Sequence, residues 1–329
     1  MSSARRAAPS PENRSLLIVV AIVLAIAFAF VASNVAANHQ PEPHNLPVGI
    51  VGSPQVTDPV AGQLELNDPG AFKVISYSSP EAARTAILHR QVYGAFVPGP
   101  APTLLVASTA SLPADDVLRQ TFEAVTSSQG QTLAVHDVAP LPLSDSAGAT
   151  SFSAILSLTI AGILGSSLIY TVAGRRSVYV RLAATVALGI GAGLMAALAT
   201  NVVVDAFHDN FLGVWGVATL FVLAVALPIA AFQTLFGLPG TAFGLIAFLV
   251  VGTPASGGGS APELLPGFWR AVSQLLPPGA AITSMRDVVY FDGHRAGGTL
   301  LVLGIYAILG AIGAIAVYKF RAGQRVADP

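Results

Sequence analysis

Histidines and carboxylates are the side chains in this sequence whose types could carry out chemistry. His39 and His44 are close enough in sequence to share a metal ion, and Asp115 and Asp116 form an adjacent acidic pair. The two histidines fall in a proline-rich stretch, which we interpret as a stiff, solvated linker. The two aspartates fall in the first turn of a predicted helix, where the helix dipole favours acidic residues. Neither pair therefore predicts an active site.

Motifs of the common enzyme classes are missing from the sequence. It contains no GxSxG, no HExxH and no glycine-rich phosphate loop. It also has no cysteine, so a metal site would need histidines and carboxylates alone. The net charge of −1 gives no basic field that would attract nucleic acid. We expect no enzyme, no cofactor or metal, and no nucleic-acid partner.

The composition instead predicts a membrane protein. Hydrophobic residues make up 53% of the chain and charged residues only 10%, whereas soluble domains carry about 25% charged residues. A span of the bilayer core needs roughly 20 apolar residues. Six stretches approach this length, at 15–37, 152–173, 182–204, 212–235, 241–253 and 299–320. The fifth is short unless residues 236–240 belong to it, and could be a broken or re-entrant helix.

Residues 38–150 differ in character and predict an extracytoplasmic α/β domain. Short β-branched or aromatic runs at 48–52, 72–77, 93–99, 103–108 and 131–138 are typical of strands. Residues 79–91 and 113–130 have the pattern of helices. The predicted fold class is thus an all-α membrane bundle of six helices with this domain inserted. Tails occupy 1–14 and 321–329, and the five-helix region at 151–320 contains an extracytoplasmic loop at 254–297.

Arginines and lysines in the short flanks predict the orientation of the bundle. They occur in the N-terminal tail, in the loop 174–181 and after the sixth span, which all lie on one side of six spans. The positive-inside rule makes that side cytoplasmic, with the acidic loop 205–211 outside. We expect a multi-pass protein of the cell membrane with both termini cytoplasmic. The first span could instead be a cleaved signal peptide, but its apolar run exceeds a usual signal sequence, and we favour an uncleaved anchor.

Apart from Lys319 near the end of the sixth, the predicted spans contain no Asp, Glu, Lys, Arg or His, which argues against ion-coupled transport. They are rich in glycine and alanine, notably at 189–193 and 304–315, and such residues let helix backbones approach closely. These positions could pack one bundle internally, or they could form the seam of a homodimer. We favour internal packing.

The loop before the sixth span has the most distinctive sequence. Residues 262–276 can form a short helix whose apolar side chains, among them Leu264 and Leu265, would lie on the membrane surface. Trp269 suits the interface between lipid and water. The predicted extracytoplasmic gate or interfacial helix comprises Phe268, Trp269, Arg270 and Arg286, with the arginines facing headgroups or the outside domain. A structural lid over the bundle is the alternative.

The loop VGTPASGGGSAPELLPGFWRAVSQLLPPGAAITSMRDVVYFDG (251–293) resembles the ABC type-2 permease superfamily, in particular its phage-infection-protein-like branch. The segment PLPLSDSAG (140–148) is also similar, with Asp145 and Gly148 at matching places. The architectural likeness covers nearly the whole chain, although the specific motif covers about 45 residues.

The resemblance implies the membrane subunit of an exporter, or a motor-less relative, in the cell envelope. Transport would be powered by a separate ATPase, since this chain has no Walker A sequence. The predicted contact for this partner is formed by Arg175, Arg176 and Arg181, which could equally serve only to set topology. The alternative is a non-transporting envelope protein whose domain binds a partner, a phage or a wall component.

Overall fold

Six helices in the computed structural model are long and apolar enough to cross a membrane. The structure describes residues 11–39, 41–207 and 210–327. The first of the six helices, α1 (Pro11–Asn38), precedes a folded domain, and the other five follow it. Such helices expose their apolar side chains to lipid, and the chain is therefore a multi-pass membrane protein in contact with a bilayer. This confirms the predicted number of spans.

The domain after α1 is a five-stranded mixed sheet with helices on both faces. Its elements are β1 (Leu46–Val51), α2 (Pro54–Asn67), β2 (Phe72–Tyr77), α3 (Pro80–Leu88), β3 (Gly94–Val97), β4 (Thr103–Val106), α4 (Leu112–Ser127) and β5 (Ala134–Asp137). The strand order is β2-β1-β3-β4-β5, and only the β3–β4 pair is antiparallel. The α/β character and all five predicted strands are confirmed.

Helix α2 is missing from the sequence-based prediction. Pro54 occupies its first turn, where a missing backbone N–H costs little, but Pro59 lies inside it and breaks the helical pattern. The helix forms nevertheless because Leu64 is buried against the sheet and Val60 packs beside it. Tertiary packing here outweighs local propensity.

Each face of the sheet has its own core, and each core includes a residue from the loop before the last span. Helices α2 and α4 pack on one face, where Leu264 is buried among their side chains. Helix α3 packs on the other face, where Phe291 is buried. The loop therefore holds the domain from both sides, and the domain's core is built from two distant stretches of chain.

The remaining helices form the bundle. They are α5 (Thr150–Ala173), α6 (Val178–Leu198), α7 (Phe211–Phe236), the short α8 (Thr241–Gly244) and α9 (Thr253–Ala255), α10 (Gly267–Ser273), α11 (Pro277–Tyr290) and α12 (Ala296–Ala327). A π-helical stretch at Leu245–Gly252 joins α8 to α9, and the fifth span runs from Leu238 to Ala255. Residues 238–240 thus lengthen this span beyond its predicted start at residue 241. This agrees in part with the predicted alternative in which residues 236–240 belong to it.

Helix α7 is the centre of the bundle, and α5, α6, α11 and α12 pack around it. Glycines allow the closest approaches. A Cβ on Gly193 would lie 2.7 Å from the backbone nitrogen of Thr219, and one on Gly310 would lie 2.4 Å from that of Pro228. Gly193 and Gly310 therefore make contacts within the bundle.

Candidate functional site

Buried charges connect the α/β domain to the end of the bundle that carries it, which we term the domain end; the opposite end is the far end. Arg90 follows α3, and its Nη1 donates to Oδ1 of Asp287 on α11 at 2.7 Å. The same nitrogen donates to the Thr283 carbonyl at 3.4 Å, and the guanidinium lies 5.4 Å from the centre of the Phe291 ring. The Asp287 side chain is fully buried, so this ion pair is shielded from solvent.

Arg286 ties three further segments together at the same junction. It is buried, and it donates to the carbonyls of Ala110, Gly148 and Gly258 at 3.4 to 3.5 Å. Burial, and then the charge of Arg90, lower the pKa of Arg286 to about 10, so the guanidinium stays charged at neutral pH. The Arg286 guanidinium thus donates to three backbone carbonyls, one in the domain, one before the start of α5 and one in the loop. These hydrogen bonds hold the three segments in one arrangement.

Asp145 supports the start of α5 beside Arg286. Its Oδ1 accepts from the backbone N–H groups of Ala149 and Thr150 at 3.0 and 3.1 Å. The Tyr290 hydroxyl donates to Oδ2 at 3.5 Å. Asp145 therefore links the chain leaving the domain to the end of α11.

Tyr93 and Glu263 form a further link across the junction. The Tyr93 hydroxyl donates to Oε2 of Glu263 at 2.9 Å. Burial, and then the charge of Glu263, raise the pKa of Tyr93. The hydroxyl therefore remains a donor, and Glu263 remains the acceptor.

A cavity of about 390 Å³ lies between the domain, the loop and the first turn of α12. Its polar lining includes Arg90, Tyr93, Glu263, Asp287, Arg295 and Thr299. Two arginines and two acidic residues thus line one space of a size that suits a small polar group. The described residues place no three potential metal ligands together. This arrangement is suited to binding a small group that carries charge.

The three arginines predicted to contact a cytoplasmic partner divide into two kinds. Arg175 and Arg176 are exposed in the α5–α6 loop at the far end. Arg181 is buried in α6, where Nη2 donates to the Thr234 hydroxyl at 3.2 Å and the guanidinium lies 5.4 Å from the Tyr170 ring centre. The prediction that the spans hold no ionisable residue is wrong for Arg181, because α6 begins at Val178, before the predicted boundary.

The predicted interfacial helix is shorter than expected and only partly at the surface. Helix α10 covers Gly267–Ser273; Phe268 is exposed and packs edge-on against Trp269, while Arg270 is partly buried. Leu264 and Leu265 are buried rather than on the membrane surface, so that part of the prediction is wrong. Of the predicted group, only Arg286 reaches the junction described above.

Sequence reasoning missed Arg90, Asp287, Tyr93 and Glu263. Only Asp287 gave a usable signal, because it is an acid beside Arg286 in an otherwise apolar stretch. Comparison with protein-family models, curated proteins and solved structures finds no match. The fold and the site therefore define a class only: a multi-pass membrane protein whose α/β domain is docked on one end of its helical bundle through buried charges.

Proposed function

We propose that this chain is the permease-like membrane subunit of an exporter, powered by a separate ATPase. The observation that carries the proposal is the buried link between Arg90 of the domain and Asp287 of α11, which packs on the central helix α7. A domain attached to the membrane only through a transmembrane anchor would need no buried ion pair with the helical bundle. This link would transmit movement of the helices to the domain. The layout of spans, domain and loop supports the same reading by its resemblance to ABC type-2 permeases.

The proposed orientation places the domain outside the cell and both termini in the cytoplasm. Support comes from the far end, where Arg175, Arg176 and Arg321 collect; Arg321 donates to the Leu235 carbonyl at the end of α7. Basic residues of this kind stay on the cytoplasmic side. Arg5, Arg6, His208, Asp209 and the side chain of Arg325, which also entered the prediction, lie outside the described residues.

Cysteine labelling tests the orientation without background, since the sequence has no cysteine. Glu81→Cys places a thiol on α3 of the domain, and Arg176→Cys places one in the α5–α6 loop; both positions are exposed. In intact cells, a membrane-impermeant maleimide is expected to label only the Glu81→Cys variant. Labelling of the Arg176→Cys variant alone would place the α5–α6 loop outside the cell and contradict the proposed topology.

Affinity purification from the native membrane tests the proposed motor. An ATPase is expected to copurify with the wild type and to be lost from the Arg175→Glu, Arg176→Glu double variant, because charge reversal repels an acidic docking surface. The matched control is Lys73→Glu with Arg84→Glu, two exposed charges of the domain, which should leave recovery unchanged. A stable complex without any ATPase would favour the non-transporting alternative. A homodimer also stays a prediction.

A further inference from the structure

One oxygen of the Asp287 carboxylate has no donor. Oδ1 accepts from Arg90, but Oδ2 has no hydrogen-bond partner among the described residues, although the side chain is fully buried. A buried carboxylate oxygen without a donor is costly, and native proteins rarely leave one unexplained. Asp287 lines the 390 Å³ cavity at the junction. A ligand in that cavity that carries a charged N–H donor would satisfy this oxygen.

The rest of the cavity is matched to a ligand with both signs of charge. Glu263 adds a second carboxylate, and Arg295 adds an exposed guanidinium beside the first turn of α12. Gly298 and Thr299 of that turn also line the cavity, and N–H groups at the start of a helix favour an anion. An ammonium group near Asp287 and a phosphate near Arg295 would therefore both find partners.

The position of the cavity indicates where such a ligand comes from. The last span, Ala296–Gln324, has 29 residues and is about 43 Å long, whereas the hydrocarbon core is roughly 30 Å thick. Arg295 directly precedes this helix, and a charged side chain there places the first turn at the level of the headgroups. Leu301 and Ile305 lie three and seven positions after the cavity-lining Gly298, on the same face of α12, and both are exposed, so acyl chains can lie against them.

We propose that this cavity binds the headgroup of a phospholipid that carries a primary ammonium. The ammonium donates to Asp287 Oδ2, the phosphate lies beside Arg295 and the first turn of α12, and the acyl chains run down the exposed face of that helix. A quaternary ammonium has no N–H group to donate, and a headgroup without an amine offers no cation. The site is thereby selective among phospholipids. This inference does not depend on whether the protein transports anything.

Native mass spectrometry of the full-length protein in detergent tests the proposal with short-chain phosphatidylethanolamine as the probe. We expect binding at least about ten-fold tighter than that of phosphatidylcholine or phosphatidylglycerol with the same chains, as loss of a charge-assisted hydrogen bond implies. Equal binding of the three lipids would overturn the proposal. Equally tight binding of free phosphoethanolamine would assign the site to a soluble ligand instead of a lipid.

Two neighbouring glycines of α12 provide a matched pair of variants. A Cβ on either Gly297 or Gly298 meets nothing within 4 Å, but only Gly298 lines the cavity. Gly298→Leu is expected to fill the cavity and abolish the ten-fold preference, whereas Gly297→Leu should retain it. Asp287→Asn should also lose the preference, because its amide can present N–H groups to the ammonium. Undiminished selectivity in a folded Gly298→Leu variant would refute the site.

Discussion

Replacing Asp287 with alanine is expected to lower the free energy of unfolding by about 3–5 kcal/mol. The substitution leaves the Arg90 guanidinium, whose side chain is 10% exposed, buried without its anion. Because the pair joins the domain to α11, the loss should appear first as release of the domain from the bundle. Denaturant unfolding in detergent measures the stability, and limited proteolysis measures the release.

A double variant separates the charge from the packing. Arg90→Met combined with Asp287→Leu removes both charges while keeping apolar volume, and is expected to recover most of the stability lost in Asp287→Ala. The control is Asp115→Ala, which breaks an ion pair within helix α4 that does not reach the bundle and leaves a partner, Arg119, that is 36% exposed. That change should cost no more than about 1 kcal/mol, since water can solvate the guanidinium that is left. A double variant no more stable than Asp287→Ala would show that the pair's charges are not what holds the junction.

The spans and the strands could be predicted because each carries its own local signal. A helix that crosses a membrane must be apolar along its whole length, and a strand such as β2 alternates or concentrates β-branched residues within a few positions. Helix α2 has no such local signal, because its two prolines predict a loop. The helix is stabilised instead by the packing of Leu64 against the sheet. The packing of α2 against residues distant in sequence cannot be recognised from the sequence of α2 itself.

The junction could not be predicted for the same reason. Arg90 and Asp287 are 197 positions apart, and nothing near either residue indicates the other. Arg286 was predicted to face lipid headgroups or the outside domain. Its buried hydrogen bonds to three carbonyls depend on three segments, distant from it in sequence, that come together in the fold. A single sequence shows which residues are unusual but not which of them meet.

Arg181 illustrates a boundary that the sequence could have located. The Ser177 hydroxyl accepts from the Val180 N–H, which makes Ser177 the N-cap of α6 and places Arg181 in the second turn of the helix. Reading Ser177 as a cap would have removed Arg181 from the predicted partner contact. The exposed arginines of that loop are Arg175 and Arg176, and they alone remain in the predicted partner contact.

The close approach of α12 to the central helix gives the second large effect. Gly310→Ala is expected to lower the free energy of unfolding by about 2–3 kcal/mol, because the new methyl would lie 2.4 Å from the backbone nitrogen of Pro228 and would force the helices apart. Gly304→Ala is the control on the same helix. A Cβ there meets nothing within 4 Å, so its stability should be unchanged or slightly higher.

The same pair of variants distinguishes internal packing from a dimer seam. If Gly310 serves the bundle, its substitution lowers the unfolding temperature at every protein concentration and leaves the oligomeric state of the folded fraction unaltered. If it served a seam between two copies, the fold would persist and the oligomer would dissociate in size-exclusion chromatography with light scattering. The contact with Pro228 and Leu227 of the same chain leads us to expect the first result, because both backbone atoms are fixed within α7 and cannot move aside without opening the core of the bundle.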